Sequence, residues 1–202
     1  MSAATGAQGR GPVEASTLGM WVFLASEVLF FGGLILAYAV YRVAYPDTFG
    51  AASDHLDRLI GGLNTAILLT SSLTMALADR SAELGARGRA RLQLLATALL
   101  GLVFLAIKLY EWQIEAAKKL APIGSRAFDY PGEAERHAEM FFNLYFAMTG
   151  VHALHLLVAV GVVLVLAARP SAPVSQVRGT GLFWHFVDLV WIFLYPILYL
   201  VR

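Results

Sequence analysis

Cysteine is absent from the 202-residue chain, and charged residues are scarce. The absence of cysteine excludes disulfide bonds, thiolate metal sites and iron–sulfur clusters. Charged residues make up 14% of the chain, against roughly 25% in an ordinary soluble domain. The formal net charge is only +1, so the chain has no basic surface for a polyanion, and we expect no nucleic-acid partner.

Long apolar runs are abundant instead, and 58% of the residues are hydrophobic. Five runs reach the length of about 20 residues that a helix needs to cross a bilayer. They are Leu18–Tyr41, Leu59–Ala78, Leu92–Trp112, Met140–Ala168 and Leu182–Val201. Lipid cannot satisfy bare backbone groups, and the runs lack the alternation of a barrel strand. The sequence therefore predicts an all-α, polytopic membrane protein with a bundle of five transmembrane helices.

The polar segments indicate the domain organisation and the orientation. Residues 1–17 predict a flexible cytoplasmic tail, and residues 18–202 predict a single membrane domain. Four arginines lie in the loop Asp79–Arg91, and Arg169 and Arg178 lie in the loop before the last run, on the same side of the membrane. Because arginine-rich short loops stay in the cytoplasm, we expect the N-terminus inside and the C-terminus outside.

Glu27 lies nine residues into the first apolar run, close to the bilayer centre. A carboxylate at that depth must be protonated, paired or directed towards protein. It is either a proton-relay or coupling carboxylate, or a neutral acid that is hydrogen-bonded to a neighbouring helix. The residue type alone favours the second interpretation.

His152 and His155 lie three residues apart in the fourth run, at the spacing of one helix face. Two such histidines could ligate haem or copper, but a metal site needs further ligands and a supporting shell. A structural histidine that pairs with a carboxylate is favoured. His155 and Glu27 lie at similar depths, which predicts a contact between them and makes their helices neighbours.

Lys108 and Glu111 lie three apart near the end of the third run and are followed by Trp112. The two charges can pair on the helix surface and extend outward to the membrane boundary, where tryptophan is an ordinary anchor. Contact with lipid head groups is the functional alternative.

The last run contains a second pair, His185 and Asp188, which share a helix face. Asp188 can fix the tautomer of His185 or accept a hydrogen bond from another helix, and a structural role is favoured over a catalytic one. Trp184 and Tyr199 are typical of interfacial aromatic belts. Trp191 lies deeper and is expected to pack against protein, and a contact with lipid or the membrane interface is the alternative.

Three of these segments resemble subunit III of the haem–copper terminal oxidases. The resemblance is carried by WVFLASEVLFFGGLILAY, FFNLYFAMTGVHALHLLVAVG and FWHFVDLVWIFLYPILYL, which occur in the family's order and near its spacing. Mitochondrial members have seven helices, whereas this chain is similar to the shorter five-helix bacterial form that lacks the first two. The missing helices build part of the family's lipid cleft.

The resemblance implies an accessory subunit of an oxygen reductase in the bacterial cytoplasmic membrane. Such a subunit has no catalytic residue, metal or redox cofactor of its own, because the haems and copper belong to partner subunits. It packs on subunit I beside subunit II and other oxidase subunits, and it binds structural phospholipid. It also supports cytoplasmic proton uptake and protects the enzyme against turnover-linked inactivation. Glu27, the histidines at 152 and 155, and the pair His185 and Asp188 match the family's intramembrane polar residues.

Other functions remain open from the sequence. A cytochrome c oxidase is favoured by the glutamate after Ser26, but a bo-type quinol oxidase subunit also has five helices. A nitric oxide reductase accessory protein of the same family has similar motifs. A small proton-coupled carrier that uses Glu27 and the histidines is disfavoured, because no paired repeats or broken helices surround a midplane site.

Overall fold

A computed structural model of the chain describes residues 12–120, 135–169 and 172–200, with no side-chain detail for 12–17 and 135. Six helices form this part of the chain, followed by a single π-helical turn. They are α1 (Pro12–Ala44), α2 (Pro46–Ser53), α3 (Arg58–Glu83), α4 (Arg87–Ala117), α5 (Glu135–Ala168) and α6 (Val174–Tyr195), and the π turn is Pro196–Leu200. Five segments are long and apolar enough to span a membrane, as the sequence predicted.

The predicted boundaries need three corrections. Helix α1 begins at Pro12, inside the segment predicted as a tail, and residues 1–11 lie outside the described part of the chain. The loop after α1 contains the short helix α2, whose residue Phe49 is fully buried. The last α-helix ends at Tyr195 because proline at 196 cannot donate the next backbone hydrogen bond.

Local sequence explains where the neighbouring helices start and stop. Asp57 caps α3, because its Oδ1 accepts hydrogen bonds from the backbone nitrogens of Leu59 at 2.8 Å and Ile60 at 3.2 Å. The chain turns between α3 and α4 at Gly85, which has a φ of +70° that favours glycine. These two helices therefore form a tight antiparallel hairpin.

Helix α1 is attached to the rest of the bundle along one narrow stripe. Helices α3, α4, α5 and α6 pack around one another, whereas α1 contacts α5, α6 and α2. Its buried residues Leu24, Phe31 and Tyr38 are seven apart and fill the crevice between α5 and α6. In the most apolar stretch of α1, 11% of residues are buried, against 56% for the last span. Most of α1 is therefore directed outward.

Close packing on the opposite side of the bundle depends on glycine. A Cβ at Gly61 would lie 2.8 Å from Cε2 of Tyr195, and one at Gly101 would lie 2.8 Å from both Trp184 and Val160. Both positions confine α3 and α4 against the aromatic side of α6, as small residues do in membrane bundles.

The π turn after α6 is held by side chains from the first two helices. The hydroxyl of Tyr38 donates to the carbonyl of Ile197 at 2.7 Å, and the hydroxyl of Ser53 donates to the carbonyl of Leu198 at 2.7 Å. These bonds give partners to two backbone carbonyls of the π turn. They also fix the backbone that carries Tyr199, which contributes to the polar cluster described below.

Candidate functional site

Glu27 and His155 form a hydrogen-bonded pair between α1 and α5. Nε2 of His155 lies 2.9 Å from Oε2 of Glu27, and the two side chains are 19% and 18% exposed. The predicted contact, and with it the predicted neighbourhood of these helices, is confirmed. Phe31 packs edge-on against the imidazole at 5.2 Å between ring centroids and closes one side of the pair.

The hydrogen bonds of His155 constrain the protonation of this pair. Its Nδ1 lies 2.8 Å from the backbone carbonyl of Val151, which can only accept, so Nδ1 carries a proton. A neutral imidazole then has a bare Nε2, and the contact with Glu27 requires a proton between the two atoms. Either protonated Glu27 donates to Nε2, or an imidazolium donates to the carboxylate. Each form holds one shared proton and is neutral overall, which suits a position within lipid.

A second cluster lies inside the bundle, near the end of α4, and is built around Lys108 and Glu111. Nζ of Lys108 is 3.1 Å from Oε2 of Glu111, and it also donates to the hydroxyls of Tyr145 at 2.9 Å and Tyr199 at 2.5 Å. Both tyrosine hydroxyls donate to the other carboxylate oxygen of Glu111. The ammonium also lies 5.2 Å from the ring centroid of Trp191. Every charge in the cluster therefore has a partner.

The burial of this cluster corrects the expectation of a surface pair. Lys108 and Glu111 are 1% and 2% exposed, so neither extends to the membrane boundary. The physical reason is that Tyr145 from α5 and Tyr199 from the π turn replace water as hydrogen-bonding partners. The prediction of lipid or interface contact is therefore wrong for both charged residues.

The tryptophans also differ from one another in burial. Trp184 and Trp191 are fully buried, so Trp184 is not part of an interfacial belt, and neither is Tyr199. The indole of Trp184 donates to Oγ of Ser71 at 3.1 Å, and that of Trp191 donates to Oγ1 of Thr65 at 3.0 Å. Only Trp112 among the predicted contact tryptophans remains partly exposed. The expectation that Trp191 packs against protein is confirmed.

His152 occupies a different environment from His155 although it lies only three residues earlier. It is 1% exposed and packs against the rings of Phe104 and Trp191, with centroid distances of 5.6 Å and 5.2 Å. Neither ring nitrogen has a hydrogen-bonding partner within the described ranges. The favoured pairing with a carboxylate is therefore wrong for His152 and right for His155.

A direct bond between His185 and Asp188, one of the two options that the sequence left open for Asp188, does not form. Nδ1 of His185 bonds to Oγ of Ser72 on α3 at 2.7 Å instead. Asp188 is 4% exposed, and its carboxylate lies near the same Ser72 hydroxyl without forming a well-aligned hydrogen bond to the described residues. Helix α3 supplies the nearer polar group because it lies directly against α6. The two residues are therefore related through Ser72 and not by a direct hydrogen bond.

Sequence patterns alone did not identify Tyr145, Tyr199 or Ser72 as partners of these groups. The available signal was that Lys108, Tyr145 and Tyr199 all lie near the helix ends on one side of the membrane. Within residues 12–120, 135–169 and 172–200, no three histidine, aspartate or glutamate side chains converge in a group that could hold a metal ion. The polar groups can form hydrogen bonds and hold protons.

Comparisons with known proteins place these features in a family context. A family model described as cytochrome c oxidase subunit III matches residues 3–201. The chain is 31% identical over 194 residues to cytochrome c oxidase subunit 3 of Thermostichus vulcanus, with 91% of this chain and 86% of that protein covered. It is 30% identical over 194 residues to cytochrome bo(3) ubiquinol oxidase subunit 3 of Pseudomonas aeruginosa, with 92% and 85% covered. Over 206 residues it is 29% identical to the heme-copper oxidase subunit I+III of Aeropyrum pernix, with 94% of this chain and 23% of that longer protein covered.

Proposed function

The chain belongs to the cytochrome c oxidase subunit III family, and we propose that it packs against subunit I of an oxygen reductase that takes electrons from cytochrome c. The match of the family model across residues 3–201 carries this proposal, because it includes every helix of the bundle. The chain is an accessory subunit of a haem–copper oxidase complex, and its role in aerobic electron transport follows from the family.

Oxygen reduction then takes place in the partner subunits, which hold the haems and copper. The Aeropyrum relative carries subunits I and III in one chain, which supports a direct contact between these two subunits. Subunit II and the remaining oxidase subunits complete the complex. This chain contributes a membrane bundle that stabilises subunit I, and it carries out no electron transfer of its own.

A membrane-facing groove is suited to one phospholipid. The groove has a volume of about 500 Å³ and is lined by Met20 of α1, by the last turns of α5 and by the first turns of α6. Its walls are apolar, and Arg169 and Gln176 lie at its end, linked by a hydrogen bond of 3.2 Å. An acyl chain would lie along the apolar walls, and the guanidinium of Arg169 would bind the phosphate.

We propose that the end of the bundle that contains Arg169 lies in the cytoplasm. The arginines at the adjoining ends of α3 and α4, together with Arg169 and Arg178, favour that side, which leaves the C-terminus outside. Glu27 lies in the half of α1 nearer this side. Its shared proton with His155 supports a role beside the proton uptake path, where the pair would buffer or hold a proton during sustained turnover.

The electron donor has a second candidate, because the Pseudomonas relative belongs to a ubiquinol oxidase. One experiment tests the function and separates the donors. The complex is purified through a tag on this chain, its co-purifying chains are identified, and oxygen consumption is measured with reduced cytochrome c and with a quinol. We expect a visible haem spectrum, a subunit I and rapid turnover with cytochrome c. Recovery of this chain without any haem-bearing partner would refute the proposal.

A further inference from the structure

Helix α6 presents a mixed stripe to the membrane that the proposed function leaves unexplained. His185, Leu189 and Ile192 follow one another at spacings of four and three residues, so they share one face of the helix. Leu189 and Ile192 are 49% and 41% exposed, and His185 is half-buried. We call these three residues the α6 stripe. An imidazole is therefore placed at the edge of a surface that is otherwise apolar.

One nitrogen of this imidazole has no partner in the described part of the chain. Nδ1 of His185 is occupied by the hydroxyl of Ser72 at 2.7 Å, while Nε2 makes no hydrogen bond there. In either tautomer Nε2 keeps an unmet group, either an N–H or a lone pair. Hydrocarbon cannot satisfy it, and a polar group without a partner in the membrane interior carries a substantial cost.

His155, another half-buried histidine within the spanning helices, differs from His185 in this respect. His155 is also partly exposed, but Glu27 and Val151 use both of its ring nitrogens. The face between α1 and α5 is thus satisfied within the chain. The α6 stripe is not satisfied within the described part of the chain. It needs a hydrogen-bonding group from another molecule at the depth of His185.

A groove runs beside the stripe. It lies between α1 and α6, has a volume of about 270 Å³ and shares Leu189 with the stripe. On the α1 side it includes Gly32, where an added Cβ would meet nothing within 4 Å. The open glycine and the apolar walls can accept the side chains of another helix, since close helix contacts in membranes use small residues.

We propose that the α6 stripe and this groove dock one transmembrane helix of the catalytic subunit, which presents a polar side chain to Nε2 of His185. This inference rests on the proposed function and specifies which face of the bundle meets the partner. A lipid acyl chain fills the groove equally well but has no group for Nε2, whereas a partner helix satisfies both requirements.

The absence of cysteine from the chain permits a direct test by cross-linking in the intact complex. Leu189→Cys and Ile192→Cys are introduced singly and coupled to a short photoactivatable reagent, and the cross-linked peptides of this chain are identified by mass spectrometry. Leu99→Cys and Leu102→Cys on α4 are matched controls, because these leucines are 62% and 44% exposed on another helix. We expect positions 189 and 192 to cross-link to one transmembrane segment of the haem-bearing subunit, and the controls to cross-link to lipid. Cross-links from 189 and 192 to lipid alone would overturn the inference.

A pair of substitutions tests the hydrogen bond itself. His185→Leu keeps the surface compatible with lipid but removes the polar group, and we expect roughly three- to tenfold weaker retention of this subunit in a detergent series. His185→Gln offers an amide at a similar distance and should restore retention. Equal retention of His185→Leu and the unaltered chain would contradict the docking role. If this chain binds the haem-bearing subunit through another face, the docking inference fails and the proposed function stands. If the unaltered chain has no haem-bearing partner, the proposed function fails as well.

Discussion

The two polar clusters of this bundle use similar residues in opposite ways. Lys108 and Glu111 are 1% and 2% exposed, and two tyrosines complete their hydrogen bonds inside the bundle. Glu27 and His155 are 18% and 19% exposed and have one bond to each other across α1 and α5. The closed cluster holds its helices together, because its charges bind only to groups inside the bundle. The open pair lies at the surface between α1 and α5, where a group from outside the chain can reach it.

The largest effect is expected from opening the closed cluster. Glu111→Leu leaves the ammonium of Lys108 buried without a counter-charge, and loss of one partner of a buried ion pair costs about 3–5 kcal/mol. We expect little folded subunit in the membrane and early loss of the subunit from the complex on heating. Circular dichroism measures the folded fraction, and co-purification measures the attachment. The double variant of Glu111→Leu with Lys108→Met removes both charges and should recover most of the loss. A double variant as unstable as the single one would show that packing, not charge, dominates here.

A smaller effect is expected from removing one hydroxyl of the cluster. Tyr199→Phe keeps the ring in place but removes a donor to Glu111 and an acceptor for Lys108. Hydrogen bonds to charged groups contribute about 1.5–3 kcal/mol, so the free energy of unfolding should fall by about that amount. Phe146→Leu serves as a packing control nearby, since Phe146 is buried without a polar atom. An unchanged melting temperature for Tyr199→Phe would mean that Tyr145 alone satisfies the pair.

The smallest stability effect is expected at the open pair. Glu27→Ala strands Nε2 of His155 while Nδ1 keeps its bond to Val151. The cost should be about 1 kcal/mol, at the lower end of the range for an unsatisfied polar group, because the imidazole is partly exposed. The expected damage is weaker attachment of the subunit and faster loss of activity during turnover. Attachment is measured by retention in detergent, and turnover by oxygen consumption over time. A loss of folded protein as large as that of Glu111→Leu would contradict the distinction between the clusters.

The sequence predicted the number of spanning helices and the contact of Glu27 with His155, because apolar length and depth are readable along one chain. It did not predict the closed cluster. Tyr199 reaches Lys108 only because Pro196 starts a π turn that Tyr38 and Ser53 hold in place. Such a placement depends on three other helices, which no local pattern encodes. The pairing of Ser72 with His185 was missed for the same reason, because helix neighbours are set by packing.

The same limit explains the wrong partners of the remaining intramembrane residues. Residues three apart on α5 differ by about 60° around the helix axis, which is enough for His152 to lie among Phe104 and Trp191 while His155 lies against α1. The three-residue spacing indicated a shared face, but a helix in a bundle has neighbours on several sides. Burial of each side chain is therefore decided by the crossing helices and not by the spacing.

The central claim is that the open pair assists a reaction carried out by another subunit. Glu27→Gln tests it most directly, because it keeps the shape of the side chain while removing the group that ionises. Initial and sustained oxygen consumption are measured on the intact complex, with the unaltered complex as reference. We predict an initial rate close to the reference and a faster decline during turnover. An immediate loss of about a hundredfold, the scale of a missing acid–base group, would mean that Glu27 lies on the main proton path and would contradict the account.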